Sequence, residues 1–361
     1  MKAIAIIGTV GVPGKYGGFE TLVENLLRNK YSNDIKYTVV CSSKSYDVKQ
    51  DSYMGADLKY VNFKANGLQS VIYDIISFFL VCRTSDVILV LGVSGCCILP
   101  IFRFFYKKKL IINIDGLEHK RDKWGKFARK FLKFSEKMAV KYADTIISDN
   151  KAIQEYVIKE YGKNSEMIAY GGNHVFGINN EINEDKILQE LGLKEGEYYF
   201  SVCRIEPENN LHIILEAFAQ CGKKYVVVGN WYNSPYGQNL LDKYNKYPNI
   251  KMLSPIYDVG ILYALRSSCK AYIHGHSAGG TNPSLVEAMH FGIPIFTYDV
   301  IYNRETTEND ALYFKDSREL IEILDIPAEK LSSISNRMKD IANNRYKWET
   351  ISKEYEALFV K

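Results

Sequence analysis

The chain has 361 residues, of which 47% are hydrophobic and 24% are charged, and its formal net charge is +4. This composition is typical of a globular protein with two domains, and it excludes a disordered chain. The small net charge and the lack of zinc-finger or RNA-binding sequence patterns argue against a dedicated nucleic-acid-binding protein.

The cysteines and the apolar segments predict the compartment. The seven cysteines form no C-x-x-C pair, and most lie in apolar runs, which predicts buried free thiols in a reducing environment. The first residues run directly into an apolar strand, so we expect no signal peptide. The longest apolar stretch, residues 71–82, contains Asp74 and is too short to cross a bilayer. We therefore expect a cytoplasmic protein.

A strand is predicted at residues 3–7, where five apolar residues precede the first glycine. The loop that follows contains five glycines between Gly8 and Gly18, so its backbone can approach a ligand closely. An amphipathic helix is predicted at residues 20–28. This order of elements forms a phosphate cradle, although the G-x-G spacing of dinucleotide-binding proteins is missing. A glycine-rich loop that binds nothing is the alternative.

Strands and helices continue to alternate through the first half of the chain. Strands are predicted at 37–41, 58–63, 87–92, 110–114 and 145–148, and helices at 68–83, 126–142 and 151–160. This alternation predicts a doubly wound parallel sheet, which binds ligands beyond the carboxyl ends of its strands. The strand that ends at Ile114 leads into a charged segment from Asp115 to Arg121. That segment is a candidate reacting centre, and an ordinary charged loop is the alternative.

A second alternating set follows a polar stretch at residues 173–186, which is predicted as the linker. Its strands are predicted at 198–202, 225–228, 271–273 and 294–298, with a helix at 210–219. Arg204 follows the first of these strands, and its guanidinium can bind a diphosphate through two hydrogen bonds. A surface arginine paired with Glu206 or Glu208 is the alternative. Two α/β halves whose polar loops face one cleft form a frequent enzyme layout.

The segment HGHSAGGTNPSLVEAMH, from His274 to His290, carries the strongest functional signal. Pro283 is predicted to open a helix, and Ser284 lies in its first turn beside unpaired backbone N–H groups that can hold an anion. Glu287 lies one turn further along and can accept a hydrogen bond from a hydroxyl next to that anion. The combination predicts a nucleotide-sugar site. A glycine-rich turn with a solvated Glu is the alternative.

Metal binding is not predicted. His274 and His276 flank one glycine, and this spacing fits metal ligation poorly without a third ligand. We predict hydrogen-bonding roles for the two histidines, with core histidine as the equal alternative. The chain has no D-x-D motif suited to a donor bridged by Mg²⁺. We therefore expect a site that works without a metal cofactor.

Two segments of the first half combine aromatic and basic residues. They are ILPIFRFFYKKKL at residues 98–110 and the stretch at residues 120–137. Such segments bind anionic membrane surfaces, and they also occur in amphipathic helices that pack on a sheet. Both interpretations stay open, and the first predicts a membrane-bound acceptor.

Six motifs, in order along the chain, resemble retaining GT-B glycosyltransferases of the large family four. More narrowly, they resemble bacterial rhamnosyltransferases that assemble capsule, O-antigen and cell-wall polysaccharides. The motifs are GVPGKYGGFET at 11–21, DGLEHKR at 115–121, RIEPENN at 204–210, GNWYNSPYG at 229–237, HGHSAGGTNPSLVEAM at 274–289 and YNRETTE at 302–308.

The resemblance implies an α/β fold with two Rossmann-like parallel-sheet domains facing a cleft. Residues 1–175 would bind the acceptor, residues 190–345 would bind the nucleotide sugar, and the helix at 346–361 would cross back to the first domain. Gly17 and Gly18 would close over the donor diphosphate from the first domain. Arg204 would bind that diphosphate, and Glu287 would bind the (deoxy)ribose.

The same resemblance implies three sets of site residues. The donor-binding set is Gly17, Gly18, Arg204, Asn209, His274, Gly280, Thr281, Asn282, Ser284, Leu285 and Glu287. The acceptor-binding set is Tyr16, Phe19, Glu118, His119, Lys120 and Arg121. The catalytic set is Asp115, His119, Arg204 and Glu287, with Asp115 or the donor phosphate as the base.

The implied enzyme is a hexosyltransferase that moves L-rhamnose from dTDP-L-rhamnose, with UDP- and GDP-sugars as open alternatives. Its acceptor would be a saccharide on a polyprenyl diphosphate, at the inner face of the plasma membrane. Gly279 and Asn209 stand where the broad family has Glu and Lys, so sugar contacts would come from His274, His276 or Asn282. A catalytically inactive nucleotide-sugar-binding subunit and a GT-B-like epimerase or phosphorylase are the alternatives.

Overall fold

The computed structural model describes residues 1–14, 17–114, 116–121, 124–177 and 182–360, apart from the side chain of Ala328. The chain forms two compact units, each built around its own sheet. The first unit is Met1–Tyr170 with Trp348–Lys361, and the second is Gly171–Lys347.

The first unit contains a largely parallel sheet. Its strands are β1 (Lys2–Ile7), β2 (Ile35–Ser42), β3 (Ser52–Tyr53), β4 (Ala56–Val61), β5 (Val87–Leu91), β6 (Lys109–Asn113), β7 (Thr145–Ser148) and β8 (Glu166–Met167). In the described residues their order is β3-β4-β2-β1-β5-β6-β7-β8, and only β3 and β4 pair antiparallel. Apolar residues such as Ile4, Val87 and Ile112 are fully buried, as expected for a parallel sheet covered on both faces.

The helices of the first unit follow its strands in the predicted alternation. They are α1 (Gly18–Arg28), α2 (Gln69–Val81), α3 (Leu99–Phe105), α4 (Lys126–Tyr142) and α5 (Lys151–Tyr161). The bounds of α4 and β7 agree with the sequence prediction. Asn150 caps α5, because its side chain accepts a hydrogen bond from the N–H of Ala152. The aromatic-basic segment at 98–110 contains α3, a short helix that the sequence analysis did not separate from its surroundings.

The second unit contains a smaller parallel sheet. Its strands are β9 (Tyr199–Val202), β10 (Tyr225–Val228), β11 (Ile250–Leu253), β12 (Ala271–His274), β13 (Ile295–Tyr298) and β14 (Leu312–Phe314). The described strands have the order β11-β10-β9-β12-β13-β14. Neighbouring strands among these residues all pair in parallel, and the order reverses between β9 and β12, so this sheet is also doubly wound. The fold class predicted from the sequence is confirmed.

The helices of the second unit include several that the sequence analysis did not predict. They are α6 (Glu184–Glu190), α7 (Leu211–Cys221), α8 (Pro235–Tyr244), α9 (Val259–Ser267), α10 (Pro283–His290), α11 (Ile301–Thr306), α12 (Ser317–Ile323) and α13 (Ala328–Arg345). The predicted linker at 173–186 is wrong in part, because it contains a 3₁₀ turn at Asn173–Phe176 and the start of α6. The side chain of Asn183 accepts a hydrogen bond from the N–H of Lys186 and so caps α6. The polar composition of this stretch had indicated a linker and not a helix.

The last helix, α14 (Trp348–Val360), packs in the first unit. The carboxylate of Glu356 accepts hydrogen bonds from the backbone N–H groups of Tyr31 and Ser32, at 2.9 and 2.8 Å. The hydroxyl of Tyr355 accepts one from Asn113 at the end of β6, at 2.9 Å. Polar contacts therefore fix this helix beside the sheet of the first unit.

All seven cysteines are free, with four of them buried and three half-buried. Among the described residues, no helix has both the length and the apolar character needed to cross a membrane.

Candidate active site

The two predicted donor motifs lie at the carboxyl ends of neighbouring strands in the second unit. Residues 203–210 follow β9, and residues 275–282 follow β12. The two strands are adjacent where the sheet order reverses, because β10 and β11 lie on one side and β13 and β14 on the other. Open α/β sheets form ligand-binding crevices at such switch points. The topology therefore brings both motifs to one place.

Hydrogen bonds join these two loops. The side-chain amide of Asn210 donates to the carbonyl oxygen of Gly275 at 2.9 Å. Ser277 donates through its backbone N–H and its hydroxyl to the carbonyl oxygen of Glu208, at 2.8 and 3.0 Å. A Cβ atom on Gly275 would lie 2.1 Å from the carbonyl oxygen of Asn209, so only glycine fits there. The two loops thus form one connected structure.

Half of the residues in the loop after β12 are buried, and so is His274 at the end of that strand. His274 is 3% exposed, its Nε2 has no hydrogen-bond partner among the described residues, and burial lowers its pKa to about 3. It is therefore a neutral core histidine, as the alternative interpretation stated. Nδ1 of His276 lies 3.0 Å from Oδ1 of Asn209, which is the predicted kind of hydrogen-bonding role. Gly280 has a φ of 89°, and Thr281 is buried.

Helix α10 begins at Pro283, as predicted, but its first N–H groups are not unpaired. Oδ1 of Asn282 accepts hydrogen bonds from the N–H of Ser284 at 3.1 Å and from its hydroxyl at 2.8 Å. The N–H of Leu285 donates to the carbonyl oxygen of Asn282 at 3.1 Å. The expectation of free donors was wrong because an N-cap Asn satisfies them. A phosphate at this helix end would have to replace these hydrogen bonds.

Glu287 is a paired carboxylate and not the solvated Glu of the alternative interpretation. Its Oε2 lies 2.5 Å from Nη2 of Arg266, and its Oε1 lies 3.4 Å from Nε2 of His174. Burial raises the pKa of Glu287, but the charges of Arg266 and His174 and a hydrogen bond from His174 outweigh it, so the net shift is downward. The carboxylate is therefore ionised at physiological pH.

Neither Arg266 nor His174 was predicted from the sequence as a site residue. Arg266 lies on α9, 21 residues before Glu287, and is 7% exposed in its side chain. His174 lies in the 3₁₀ turn that opens the second unit. A buried arginine requires a carboxylate partner. An arginine within the otherwise apolar sequence of α9 is therefore the feature from which this ion pair could have been predicted.

Arg204 is the exposed cation of the loop after β9. Its side chain is exposed, and among the described residues it forms no ion pair with Glu206 or Glu208. The alternative interpretation, a surface ion pair of Arg204 with one of these glutamates, is therefore not found in the described residues. An exposed guanidinium next to the switch point is available to an anionic ligand. Asn209, the neighbouring donor candidate, is buried and occupied by His276.

In the first unit, the glycine-rich loop after β1 folds back onto α1. Oε1 of Glu20 accepts hydrogen bonds from the hydroxyl of Thr9 at 2.8 Å and from the N–H of Val10 at 2.7 Å. Gly17 has a φ of 132°, and a Cβ there would lie 1.9 Å from Oε2 of Glu20. Glu20 therefore fixes the loop. The other predicted residues of this loop are Gly18, the first residue of α1, Phe19, which is half-buried, and Tyr16, which lies outside the described residues.

The charged segment after β6 is internally paired. Oε1 of Glu118 accepts a hydrogen bond from the indole of Trp124 at 3.1 Å, and its Oε2 lies 2.9 Å from Nε of Arg121. Nζ of Lys120 lies 4.9 Å from the centre of the Tyr156 ring. Asp115, the predicted base, lies outside the described residues. The described residues therefore support an ordered segment, and the role of Asp115 stays a prediction.

His119 is held by a buried carboxylate that the sequence analysis missed. Its Nδ1 lies 2.9 Å from Oε2 of Glu136 on α4. Oε1 of Glu136 accepts hydrogen bonds from the hydroxyls of Tyr156 and Tyr161, at 2.7 and 2.5 Å. Burial raises the pKa of Glu136, but hydrogen bonds from His119, Tyr161 and Tyr156 lower it to about 2. The carboxylate stays charged and fixes the imidazole ring.

No group of three or more His, Cys, Asp or Glu side chains in the described part of the chain could hold a metal ion.

These features define a class of protein. Two doubly wound parallel sheets, each with its functional loops at the carboxyl ends of its strands, form the GT-B architecture of glycosyltransferases. Residues 183–348 match the family described as Glycosyl transferases group 1, and residues 1–173 match a Domain of unknown function, DUF1972. Residues 183–348 therefore form a group 1 glycosyltransferase domain, the kind of domain that transfers a sugar from a nucleotide-sugar donor.

Several solved structures have the same fold. Sucrose-phosphate synthase from Thermosynechococcus elongatus is 16% identical, with a TM-score of 0.80 over 99% of this chain and 98% of that one. HepE from Anabaena, solved with UDP-glucose, is 17% identical, with a TM-score of 0.77 over 100% of both chains. The trehalose-6-phosphate synthase OtsA is 9% identical, with a TM-score of 0.76 over 100% of this chain and 99% of that one. No curated protein matches the chain by sequence.

Proposed function

We propose that this glycosyltransferase moves L-rhamnose from dTDP-L-rhamnose to a saccharide carried on a polyprenyl diphosphate, in the assembly of a cell-surface polysaccharide. The observation that carries the proposal is the joined pair of loops at the switch point of the second unit. They place an exposed Arg204 on a loop that is hydrogen-bonded to the loop preceding α10, the helix of the ionised Glu287. The sugar and the acceptor rest on the resemblance of the six motifs.

The donor would bind in the second unit. Arg204 would stabilise the charge that builds on the leaving diphosphate, and Glu287 would accept a hydrogen bond from the nucleoside sugar. Gly280, Thr281 and Asn282 would bring backbone and side-chain groups to the phosphates and the transferred sugar. HepE, which has the same fold, was solved with UDP-glucose, and this complex supports a nucleotide sugar as the ligand. The proposed reaction requires no metal ion.

The acceptor would bind in the first unit. His119 presents its imidazole from a position that Glu136 fixes, while Glu118 and Arg121 hold the segment around it. Asp115 would accept the proton of the acceptor hydroxyl, and the donor phosphate is the other candidate base. Phe19 and Lys120 would contact the acceptor saccharide or its diphosphate.

A membrane surface would deliver the lipid-linked acceptor. Helix α2 exposes four apolar side chains at helical spacing, namely Ile72, Ile76, Phe79 and Leu80. The neighbouring α3 exposes Phe104 and Phe105 at 82% and 67%. The two helices are in contact, as the ring centres of Phe79 on α2 and Phe102 on α3 lie 5.9 Å apart. Large apolar groups exposed on adjacent helices are typical of an interaction surface.

Helix α4 adds charge to this apolar surface. Arg103 on α3 donates to the carbonyl oxygen of Tyr142 at the end of α4, at 3.0 Å, so the helices are neighbours. One face of α4 exposes Phe127 and Phe134 at 87% and 50%, together with the similarly spaced Lys130 and Lys137. The opposite face packs in the unit, as in the amphipathic-helix alternative. Exposed phenylalanines and lysines on one face favour anionic lipid as the partner.

The donor proposal is tested by hydrolysis of a panel of dTDP-, UDP- and GDP-sugars by the purified full chain. Nucleoside diphosphate release is measured with and without a chelator. We expect the fastest release from dTDP-L-rhamnose and no effect of the chelator. Faster release from another sugar nucleotide would overturn the donor proposal, and loss of release with the chelator would overturn metal independence. Binding without release from any donor, even with acceptor present, would favour the inactive binding subunit.

A further inference from the structure

Three consecutive residues of the loop after β9 contact the loop after β12, but only two of them use their side chains. Oδ1 of Asn209 lies 3.0 Å from Nδ1 of His276, and the side-chain amide of Asn210 donates to the carbonyl oxygen of Gly275 at 2.9 Å. Glu208 contacts the same loop through its backbone carbonyl oxygen. Its carboxylate therefore takes no part in joining the two loops.

The carboxylate of Glu208 is buried without a hydrogen-bond donor. The residue is 7% exposed, and its Oε2 has no partner among the described residues. The backbone of Glu208 is held in place, because Ser277 donates to its carbonyl oxygen through an N–H and a hydroxyl, at 2.8 and 3.0 Å. A buried carboxylate oxygen that accepts no hydrogen bond costs stability. Such an oxygen at the switch point points to a ligand that donates to it.

The chemistry of a carboxylate restricts the kind of ligand group. An ionised carboxylate only accepts hydrogen bonds, so it repels a phosphate and binds groups that donate, such as sugar hydroxyls. In the proposed donor site, Arg204 of the same loop binds the diphosphate, and Glu287 binds the nucleoside sugar. The part of the donor that is left for Glu208 is the transferred sugar.

The side chains that the resemblance implied as contacts of this sugar are engaged within the protein. His274 is a core histidine, His276 lies next to Asn209, and Asn282 caps α10. Glu208 supplies an acceptor that is not engaged in this way.

We propose that Glu208 binds hydroxyl groups of the sugar that is transferred. This inference rests on the proposed function, in which the two joined loops hold a sugar nucleotide. Glu208 is then a binding residue for the sugar and makes no contact with the nucleotide. The ligand hydroxyls offset the cost of burying its carboxylate.

The test compares dTDP with dTDP-L-rhamnose, because only the second ligand carries the sugar. Dissociation constants for the full chain are measured by isothermal titration calorimetry. We expect Glu208→Gln, which keeps the size of the side chain and removes its charge, to weaken the binding of dTDP-L-rhamnose about tenfold and to change that of dTDP less than about twofold. Glu206→Gln is the matched control, because Glu206 is a half-buried glutamate of the same loop, and it should change neither constant.

Several results would overturn the inference. Equal weakening of both ligands by Glu208→Gln would place Glu208 at the nucleotide, and no weakening of either would leave an ordered water as its donor. Equal effects of Glu206→Gln and Glu208→Gln would show that only the charge of the loop matters. Wild-type protein that binds neither ligand would contradict the proposed donor site as well. Tighter wild-type binding of another sugar nucleotide would overturn only the proposed sugar, and Glu208→Gln is then compared on that ligand and its nucleoside diphosphate.

Thermal unfolding without ligand separates sugar binding from a structural role. Glu208→Gln removes a buried charge that has no partner among the described residues, so its melting temperature should equal or exceed that of the wild type. A residue that only held the loop in place would lower the melting temperature when changed. A lower melting temperature with unchanged ligand affinities would therefore make Glu208 a structural residue and contradict the inference.

Discussion

At the scale of single residues, Arg204 has the clearest expected role in the chemistry. It is exposed and unpaired by the described residues of its own loop, and it stands at the switch point of the second sheet. A pre-positioned cation that stabilises the charge on a leaving diphosphate increases the reaction rate about a hundredfold to a thousandfold.

We therefore expect Arg204→Ala to lower kcat of donor hydrolysis by about 10² to 10³. Arg204→Lys should recover part of the loss, because lysine keeps the charge but lacks the bidentate geometry. Arg318→Ala, which removes an exposed arginine of α12, is the control and should leave kcat of donor hydrolysis unchanged. Equal activity of Arg204→Ala and the control would remove Arg204 from the mechanism.

Glu136 permits a prediction about pH and stability. Its pKa is lowered from 4.5 to about 2 in the folded protein, so the unfolded state binds the proton more readily. The resulting stabilisation is fully present above about pH 4.5 and is lost as the pH falls towards 2. A shift of this size corresponds to about 3 kcal/mol at neutral pH.

Denaturant titrations of wild-type protein and Glu136→Gln check this expectation. The difference in unfolding free energy should be largest near pH 7 and should shrink steadily between about pH 4.5 and 2. Tyr161→Phe should give a smaller change over the same pH range, since it removes one of the hydrogen bonds that lower the pKa of Glu136 and leaves the charge in place. A difference that does not change with pH would show that the charge of Glu136 is unimportant.

Residues within one motif could be found from the sequence, whereas their partners could not. Arg204, His276 and Glu287 stand out because short spacings place them after strands or on a helix. Glu136 lies 17 residues from His119, and Arg266 lies 21 residues from Glu287, on separate elements. Such pairs depend on how helices pack, which no local pattern specifies. Asn282 was predicted to bind the donor, and its role as the cap of α10 followed only from the hydrogen bonds.

At the scale of elements, the apolar and basic faces of α3 and α4 predict membrane binding. We expect Phe104→Asp and Phe127→Asp each to weaken binding to phosphatidylglycerol vesicles about tenfold, because each side chain is more than four-fifths exposed and would lose its contact with lipid. Binding is measured by vesicle sedimentation, with phosphatidylcholine vesicles as the neutral comparison.

Val259→Asp is the matched control for these two variants. Val259 is a 63% exposed apolar residue in the second unit, away from α3 and α4 in the sequence. It should leave vesicle binding unchanged. Wild-type protein that stays in the supernatant with both lipids, or equal losses in all three variants, would contradict a specific membrane face.

Elements with strong periodicity were predicted well. The helix α4 and the strand β7 matched because a long amphipathic run and a short buried run have unambiguous signals. The late helices α11, α12 and α13 were missed, because their polar exposed surfaces resemble loops in composition. The polar stretch at 173–186 was taken for a linker, although Asn183 caps a helix inside it. Composition alone does not separate a solvated helix from a loop.

At the scale of the whole molecule, the fold alone does not identify the substrate. The same architecture is found in sucrose-phosphate synthase, HepE and OtsA at 9–17% identity. Because one fold can serve many different functions, the donor has to be argued from the loops at the switch point. The sequence predicted the two α/β halves from their alternation, whereas the sugar comes only from resemblance.

The most direct test of the account is transfer itself. Purified protein is incubated with dTDP-L-rhamnose and a monosaccharide on a polyprenyl diphosphate, and the lipid product is examined by mass spectrometry. We expect the acceptor to gain one deoxyhexose, and only when the acceptor and this donor are both present. Transfer from UDP- or GDP-sugars in preference to dTDP-L-rhamnose would contradict the proposed donor, and the absence of any transferred sugar would contradict the proposed reaction.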